Sequence, residues 1–456
     1  MDNENLNIQE QIQSCILDGQ WETLQTILDQ LHPADIADVI ENAPDEVHNQ
    51  IFDLLDDETK ADVMAEFDDA TEAEILEELT AEEISELAED MAPDDAADML
   101  AELDEERSEE VLELMEDEDS EEVRELLSYD EETAGGRMNT DLVALHRQQT
   151  GQQALDHIGS LDLDEPVYLA YVIDTDGTLL GYVQIWQMLK MENRNKPLIE
   201  LAEETTFTAT PDTDQEKVAR MMSKYDLTSM PIVDDDGKLV GRITIDDMVD
   251  VLQEEASEDI FKLAGSDDVE LESHSPLASC KTRLPWLLVT LVAGFISSLI
   301  LKRFIDNPQI VMLSAFVPII MAMGGNTGIQ SSILIVRGLA LGTFDEGQLY
   351  RLLNHELLTG MMMGVVCGTI IGIWAHFMVG DNGQFSALYL ASTVGLALFC
   401  AMMFAAAFGA FVPLLLNRFK VDPAVAAGPF VTASNDVMSL LIYYAITFLL
   451  ISLRAA

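Results

Sequence analysis

The chain has 456 residues and a formal net charge of −61, from 84 acidic and 23 basic side chains. Residues 1–283 carry 77 acidic and 16 basic side chains, whereas residues 284–456 carry seven of each, so a strongly acidic half adjoins a neutral, apolar one. This balance excludes nucleic acid as a partner, because phosphates would be repelled, and leaves three readings of the acidic half: cation binding, a solvated surface, or adaptation to high salt.

The length suits two or three domains. Cys15, Cys280, Cys367 and Cys400 lie far apart without C-x-x-C spacing, and so suggest neither a disulfide framework nor a zinc site. The N-terminus, MDNENLNIQEQIQSC, has neither the basic nor the apolar region of a signal peptide, so the first half is expected to stay in the cytosol.

Residues 1–128 read as an all-helical domain. From residue 31 onward, start signals recur roughly every 12 residues, at Pro33, Pro44, Glu58, Thr71, Thr80, Pro93 and Ser108. Each is followed by apolar residues at helical spacing, such as Ile36/Val39/Ile40 and Ile84/Leu87/Ala88. Helices this short cannot bury a core alone, so a stacked superhelical solenoid is expected.

Over residues 129–253 the period changes. VYLAYVIDTDGTLLGYVQIWQML (167–189) and TSMPIVDDDGKLVGRITIDDMVDVL (228–252) read as β-hairpins around Asp-Gly turns, each followed by a helix. Asp176-Gly177 recurs as Asp236-Gly237 and Gly181 as Gly241, all 60 residues on. The duplicated α+β unit resembles a tandem pair of cystathionine-β-synthase-type (CBS) domains, with Pro231, Asp234, Gly237, Gly241, Thr244 and Asp247 carrying the motif. The first copy departs from it, with Gln184 where the second has Thr244. Residues 254–283 start as an acidic amphipathic helix and connect to the membrane half.

Residues 284–456 contain five apolar stretches near spanning length, about 284–301, 309–336, 357–379, 387–416 and 424–453. An odd number places the termini on opposite sides. Lys281, Arg283, Arg337, Arg351, Arg418 and Lys420 would then face the cytosol, against Lys302, Arg303 and Arg454 outside, so the N-terminus is expected inside and the C-terminus outside.

Three features are unusual for lipid-facing helices. VPIIMAMGGNTGIQSS (317–332) concentrates Pro318, Gly324, Gly325, Asn326, Thr327, Gly328 and Gln330 in the second span. This pattern suggests broken, pore-lining backbone, with a small-residue packing face as the competing reading. VDPAVAAGPFVTASND (421–436) breaks the start of the last span at Pro423 and at Gly428-Pro429, which would free carbonyl oxygens. Asp436 lies within that span, and no Lys or Arg occurs inside any of the five apolar interiors to neutralise it. An intramembrane acid is by default functional. Its oxygen-only surroundings suit Mg2+, Ca2+ or Mn2+ better than soft metals. One carboxylate is thin for a divalent ion, and two meeting on a two-fold axis would match its charge.

The order of an acidic helical domain, a CBS pair, an acidic connecting helix and five spans, together with PIIMAMGGNTGIQSS and DPAVAAGPFVTASNDVMSLLIYY, resembles the MgtE family of magnesium channels and transporters over essentially the whole chain. The resemblance implies a homodimer in the bacterial plasma (inner) membrane, with one pore along the dimer axis and cytosolic domains that sense Mg2+. It assigns Asp436 as the pore aspartate, places Gly325 and Asn326 in the motif beside it, and puts Asp422 and Pro423 in the motif opening the last span. Gly428 and Ile329 stand where some members carry Asn. For cytosolic sensing it implies Asp94, Asp98, Glu216, Asp226, Asp247, Asp250, Glu255, Glu258 and Asp259. CBS pairs also bind adenine nucleotides, which gives Thr244 and Asp247 a second candidate role toward ATP. The alternatives are a less selective divalent-cation channel (Co2+, Mn2+, Ca2+) and a membrane sensor that binds cations without moving them. No nucleophile–base pair or phosphate-binding loop suggests an enzyme.

Overall fold

Short helices with self-contained start signals build the N-terminal region of this computed structural model, which describes residues 11–161, 167–266, 276–306, 311–340, 349–379, 385–424 and 428–455. Helix α1 (11–18) leads to α2 (Trp21–Leu28), α3 (Pro33–Glu41), α4 (His48–Phe52), α5 (Asp57–Met64) and α6 (Asp69–Glu78). They continue as α7 (Ala81–Asp90), α8 (Pro93–Ala101), α9 (Glu105–Leu114) and α10 (Asp117–Leu126). Pro33 and Pro93 occupy first helical positions, and Thr80 and Glu83 form a reciprocal capping box. Two expected starts move upstream: Asp68 accepts from Thr71 N at 2.8 Å and Asp104 from Arg107 N at 3.0 Å, so these aspartates cap α6 and α9. Their carboxylates meet the exposed amides and the helix dipole together, which a Thr or Ser inside the first turn does not do.

Alternate helices pack on one another, α3 on α5, α5 on α7 and α7 on α9 in one row, with α4 on α6 and α8 on α10 in the other. Ile36, Ile40, Ile51, Phe52, Ile75, Ile84, Met99, Val111 and Val123 fill one continuous core between the rows. This is the superhelical stack that the short period demands.

The duplicated α+β region begins with β1 (Ala144–His146), α11 (Gly151–Ile158), β2 (Leu169–Ile173) and β3 (Leu179–Gln184), followed by α12 (Ile185–Met188) and α13 (Leu198–Leu201). The second copy has α14 (Gln215–Tyr225), β4 (Ser229–Val233), β5 (Leu239–Thr244) and α15 (Ile245–Ala264). Both hairpins share one register: Val172 pairs with Gly181 and Ile232 with Gly241, each followed by an irregularity. Gly177 and Gly237 take positive φ in the two turns, and the turns bond reciprocally, Leu179 N to Gly237 O and Leu239 N to Gly177 O. The 60-residue repeat is thus a pseudo-two-fold pair.

The chain divides into two compact units, Met1–Gln253 and Glu254–Ala456. Helix α15 runs unbroken through the boundary and ends at Gly265, where Ser266 N reaches Phe261 O and Gly265 N reaches Lys262 O. The rest of the expected connector, 267–275, lies outside the described residues.

Among the described residues, five helices are long and apolar enough to cross a membrane. They are α16 (Pro276–Ile305), α17 (Val317–Ala340), α18 (Leu349–Val379), α19 (Ala387–Arg418) and α20 (Pro429–Ala455). Three expected starts change. The first span starts at Ser279, five residues before the expected 284; the third starts at Tyr350, which takes the polar stretch around Glu356 into the helix; and the last starts at Pro429, a proline at its first position. α19 is the central helix, packed on α17, α18 and α20, whereas α16 is almost wholly unburied within the chain.

Candidate ion site in the membrane half

The glycines of the second span do not break it. α17 is continuous from Val317 to Ala340, preceded by a 3-10 turn over Val311–Phe316. Helical spacing puts Gly324, Gly325 and Gly328 on one face, and that face receives α20. A Cβ at Gly324 would strike the Ser439 hydroxyl, and one at Gly328 would strike the Asn435 carboxamide. At Gly325 it would lie 2.9 Å from Asp436 Oδ1. The small residues therefore make a socket in which helix backbone approaches a row of polar side chains, and backbone hydrogen bonding stays intact. This is the packing-face geometry, with a carboxylate built into it.

Within that row Asp436 is half-buried, and no Lys, Arg or His pairs with it among the described residues. Asn435 and Ser439 are fully buried, and neither the Asn435 carboxamide nor the Ser439 hydroxyl has a hydrogen-bond partner among the described residues. Orphaned polar groups of this kind cost about 1–3 kcal/mol each. Asn435, Asp436 and Ser439 thus line up oxygen-bearing side chains along one stretch of α20, the donor type that hard cations and their water shells take. Asn326, the next residue along α17, is exposed.

Asp422 lies elsewhere, before α20. Its Oδ1 accepts from Ala424 N at 2.8 Å, while its Oδ2 is 3.0 Å from Lys262 Nζ. Lys262 also pairs with Glu258, one turn earlier on α15. Burial works against the lysine's charge, but the bonds to Glu258 and Asp422 outweigh it and hold its pKa well above the ordinary value. The end of α15 is thus tied to the mouth of the last span. Gly428 completes the tie: a Cβ there would overlap the Leu263 carbonyl. That close approach explains why glycine stands where an asparagine was the alternative. Residues 425–427 of the same motif lie outside the described residues.

The sensing candidates have defined places. Asp94 and Asp98 share a face of α8; Asp94 is buried, and Asp98 pairs with Arg137 at 3.2 Å. Arg137 also donates to Gln215 Oε1 at 3.1 Å. Glu216 pairs with Arg220, and Asp226 ends α14 in the left-handed conformation. Asp247 Oδ2 accepts from Thr244 N at 3.0 Å and Oγ1 at 2.9 Å, so the Thr-x-x-Asp motif caps α15. Burial raises the Asp247 carboxyl above its ordinary value and the Thr244 bonds oppose the rise; burial and Asp246 raise Asp250. Glu255 and Asp259 lie with Glu258 on α15. No group of three or more His, Cys, Asp or Glu side chains close enough to hold a metal occurs among the described residues.

Two acids escaped the sequence reading. Glu72 on α6 is pushed up to about 8, by burial first and then by Glu102, Asp69, Asp98 and Asp95. Glu356 on α18 is buried at 4% exposure inside a span. Asp69 is one turn back on the same helix, but only the fold buries Glu72 and brings Glu102, Asp98 and Asp95 to it. Glu356 lay just outside the apolar run that defined the span.

Comparison with known proteins adds three family matches. Residues 317–446 match a model described as a divalent cation transporter (MgtE), residues 31–132 the MgtE intracellular N domain, and residues 198–254 a CBS domain. The magnesium transporter MgtE of Thermus thermophilus is 35% identical over 327 residues, 71% of this chain and 71% of that protein. That of Enterococcus faecalis is 32% identical over 324 residues, 70% of this chain and 69% of that protein. A crystal structure of the cytosolic domain of the Mg2+ channel MgtE in complex with ATP aligns with 53% of this chain and 98% of that one, at 29% identity and a TM-score of 0.49.

Proposed function

The chain belongs to the MgtE family, whose matched relatives are named magnesium transporters, and from that premise we propose that it conducts Mg2+ inward past Asp436 and is closed by Mg2+ on the cytosolic side. The observation that carries this reading is the Asp436 carboxylate, set at membrane depth against Gly325 with no basic partner among the described residues. A lone acid in that place costs about 2.5–3.5 kcal/mol on insertion scales. A passing cation is the return for that cost.

Mg2+ sheds water reluctantly and is commonly held by one or two carboxylates with several waters retained. Asp436 supplies one charge, and the same residue of a second copy would supply the other. The poorly buried α16 leaves apolar surface for such a homodimer as well as for lipid. In this arrangement the N-terminus faces the cytosol and the C-terminus the outside of the bacterial plasma membrane.

Closure follows from electrostatics. The acids of the first unit and of α15 repel one another, and Mg2+ between acidic surfaces of neighbouring domains or subunits favours their compact arrangement. The ion shifts the equilibrium only in so far as it binds the compact state better. Asp94, Asp98, Glu216, Asp226, Asp247, Asp250, Glu255, Glu258 and Asp259 are the groups assigned to this role. α15 transmits the change, because Lys262 and Leu263 already join it to Asp422 and Gly428. ATP at Thr244 and Asp247 would have to compete with the helix cap those residues form.

Purified protein in vesicles with an internal Mg2+ indicator tests the reading. Asp436→Ala should abolish entry, and unchanged entry would remove the pore assignment. Equal competition by Mn2+, Co2+ or Ca2+ would establish the less selective channel instead.

A further inference from the structure

A second acid lies inside the described spans, and the proposed ion path does not use it. Glu356 stands two turns into α18, a helix that mostly faces outward, yet the residue itself is buried. Its Oε2 accepts a hydrogen bond from Ser331 Oγ of α17 at 2.7 Å, and its Oε1 lies 3.3 Å from His355 Nδ1. Ser331 is buried as well, and no Lys or Arg pairs with Glu356 among the described residues. An acid buried inside a span without a basic partner is by default a functional candidate.

The partner that Ser331 takes indicates the function. A hydroxyl in a membrane helix can return its hydrogen to the carbonyl four residues back, and Thr327 does so on the same helix, to Met323 O at 2.7 Å. Ser331 gives its single hydrogen to another helix instead. The bond falls where three helices reach backbone contact. Gly409 of α19 abuts Gly328 of α17, one turn before Ser331. Gly360 of α18, one turn after Glu356, abuts Met402 and Ala406 of α19. Gly328 also faces Asn435, the neighbour of Asp436. Any rotation of α17 that broke the Ser331–Glu356 bond would carry Gly325 away from Asp436 at the same time.

We propose that Glu356 is a positioning residue for the ion path: by holding Ser331 it fixes the rotation and depth of α17, and so keeps the Gly325–Asn326 face opposite Asp436. This inference rests on the assignment of Asp436 to the ion path. It requires an acceptor at position 356 and no charge there, so glutamine should serve and alanine should not.

The test measures Mg2+ flux through the full-length protein in vesicles, reading maximal rate and half-saturating Mg2+ separately. Glu356→Gln should stay within about threefold of wild type, whereas Glu356→Ala and Ser331→Ala should each raise half-saturating Mg2+ by about tenfold. The double variant should be no worse than the worse single one, because both lose the same bond. Glu356→Gln failing as badly as Glu356→Ala would overturn the proposal in favour of a charge requirement. Additive effects, or a Glu356→Ala protein that conducts normally, would also overturn it. Should Glu356→Ala not fold, the glutamine variant and Ser331→Ala decide the matter. Asp436→Ala is run alongside: normal flux there sinks the ion-path assignment, whereas its loss beside a normal Ser331→Ala sinks the positioning role alone.

Discussion

In the unit Met1–Gln253 carboxylates cover the surface, and many do local work: Asp56, Asp68, Asp104 and Asp214 cap helices, and others fill first turns. Beyond residue 283 there are seven acids, and of those described inside the spans Asp436 lies against Gly325 and Glu356 against Ser331 and His355. An exposed acid among many can be lost while its neighbours supply nearly the same field. A buried acid has no substitute. Glu72 follows the same rule from within the acidic unit, since burial, more than the number of its neighbours, moves its carboxyl. Depth and partner, more than abundance, tell which carboxylates matter.

The sharpest way to break this contrast is to disturb the packing that buries the scarce acids. Gly409→Val would drive a side chain onto the Gly328 backbone, which cannot yield. The expected loss is on the order of 3 kcal/mol, seen as a fall in folded protein. Gly294→Ala, with nothing within 4 Å of its new methyl, should stay within about 0.5 kcal/mol. Similar outcomes for the two would mean that the helices are not closely packed at Gly328.

A smaller effect is expected at Glu72. With a folded pKa of about 8 against an ordinary 4.5, the native state keeps a proton that the unfolded chain releases. Stability should therefore be full below the ordinary value and fall as pH rises toward about 8, by roughly 1–3 kcal/mol after allowing for screening. Melting curves across that range should show the slope in wild type and lose most of it in Glu72→Gln. A slope of unchanged size in the variant would assign it to other groups.

Next in size is the tie at the end of α15. Lys262→Met removes the ion pairs with Glu258 and Asp422 and should raise the cytosolic Mg2+ needed for closure by about three- to tenfold. Closure at the wild-type concentration would exclude Lys262 from gating. At the bottom of the scale, Arg124→Ala removes an exposed bidentate pair with Glu109, at 2.8 Å in both bonds, and no measurable change in Tm is expected.

Features that depend on near neighbours in sequence were legible in it. Pro33, Pro93 and the Thr80–Glu83 box mark helix starts because capping is local chemistry, and the repeated Asp-Gly turns reveal the duplication because a hairpin is local too. Asp436 was also legible, since an acid in an apolar run stands out without knowledge of its neighbours. What the sequence hid depends on distant partners. Gly324, Gly325 and Gly328 looked like breaks because glycine weakens a helix, but a helix arriving from about a hundred residues later uses them as a socket. Glu356 acquires Ser331, and Asp422 acquires Lys262, only when separate helices meet.

The most direct measurement of the central claim compares two proteins in the same vesicle flux assay. One is Asp436→Ala. The other carries Asp94→Asn, Asp98→Asn, Asp250→Asn and Glu258→Gln together. The single membrane substitution should stop Mg2+ entry, while the fourfold cytosolic variant should still conduct and no longer close as cytosolic Mg2+ rises. Persistent flux in Asp436→Ala, or normal closure in the fourfold variant, would contradict the account.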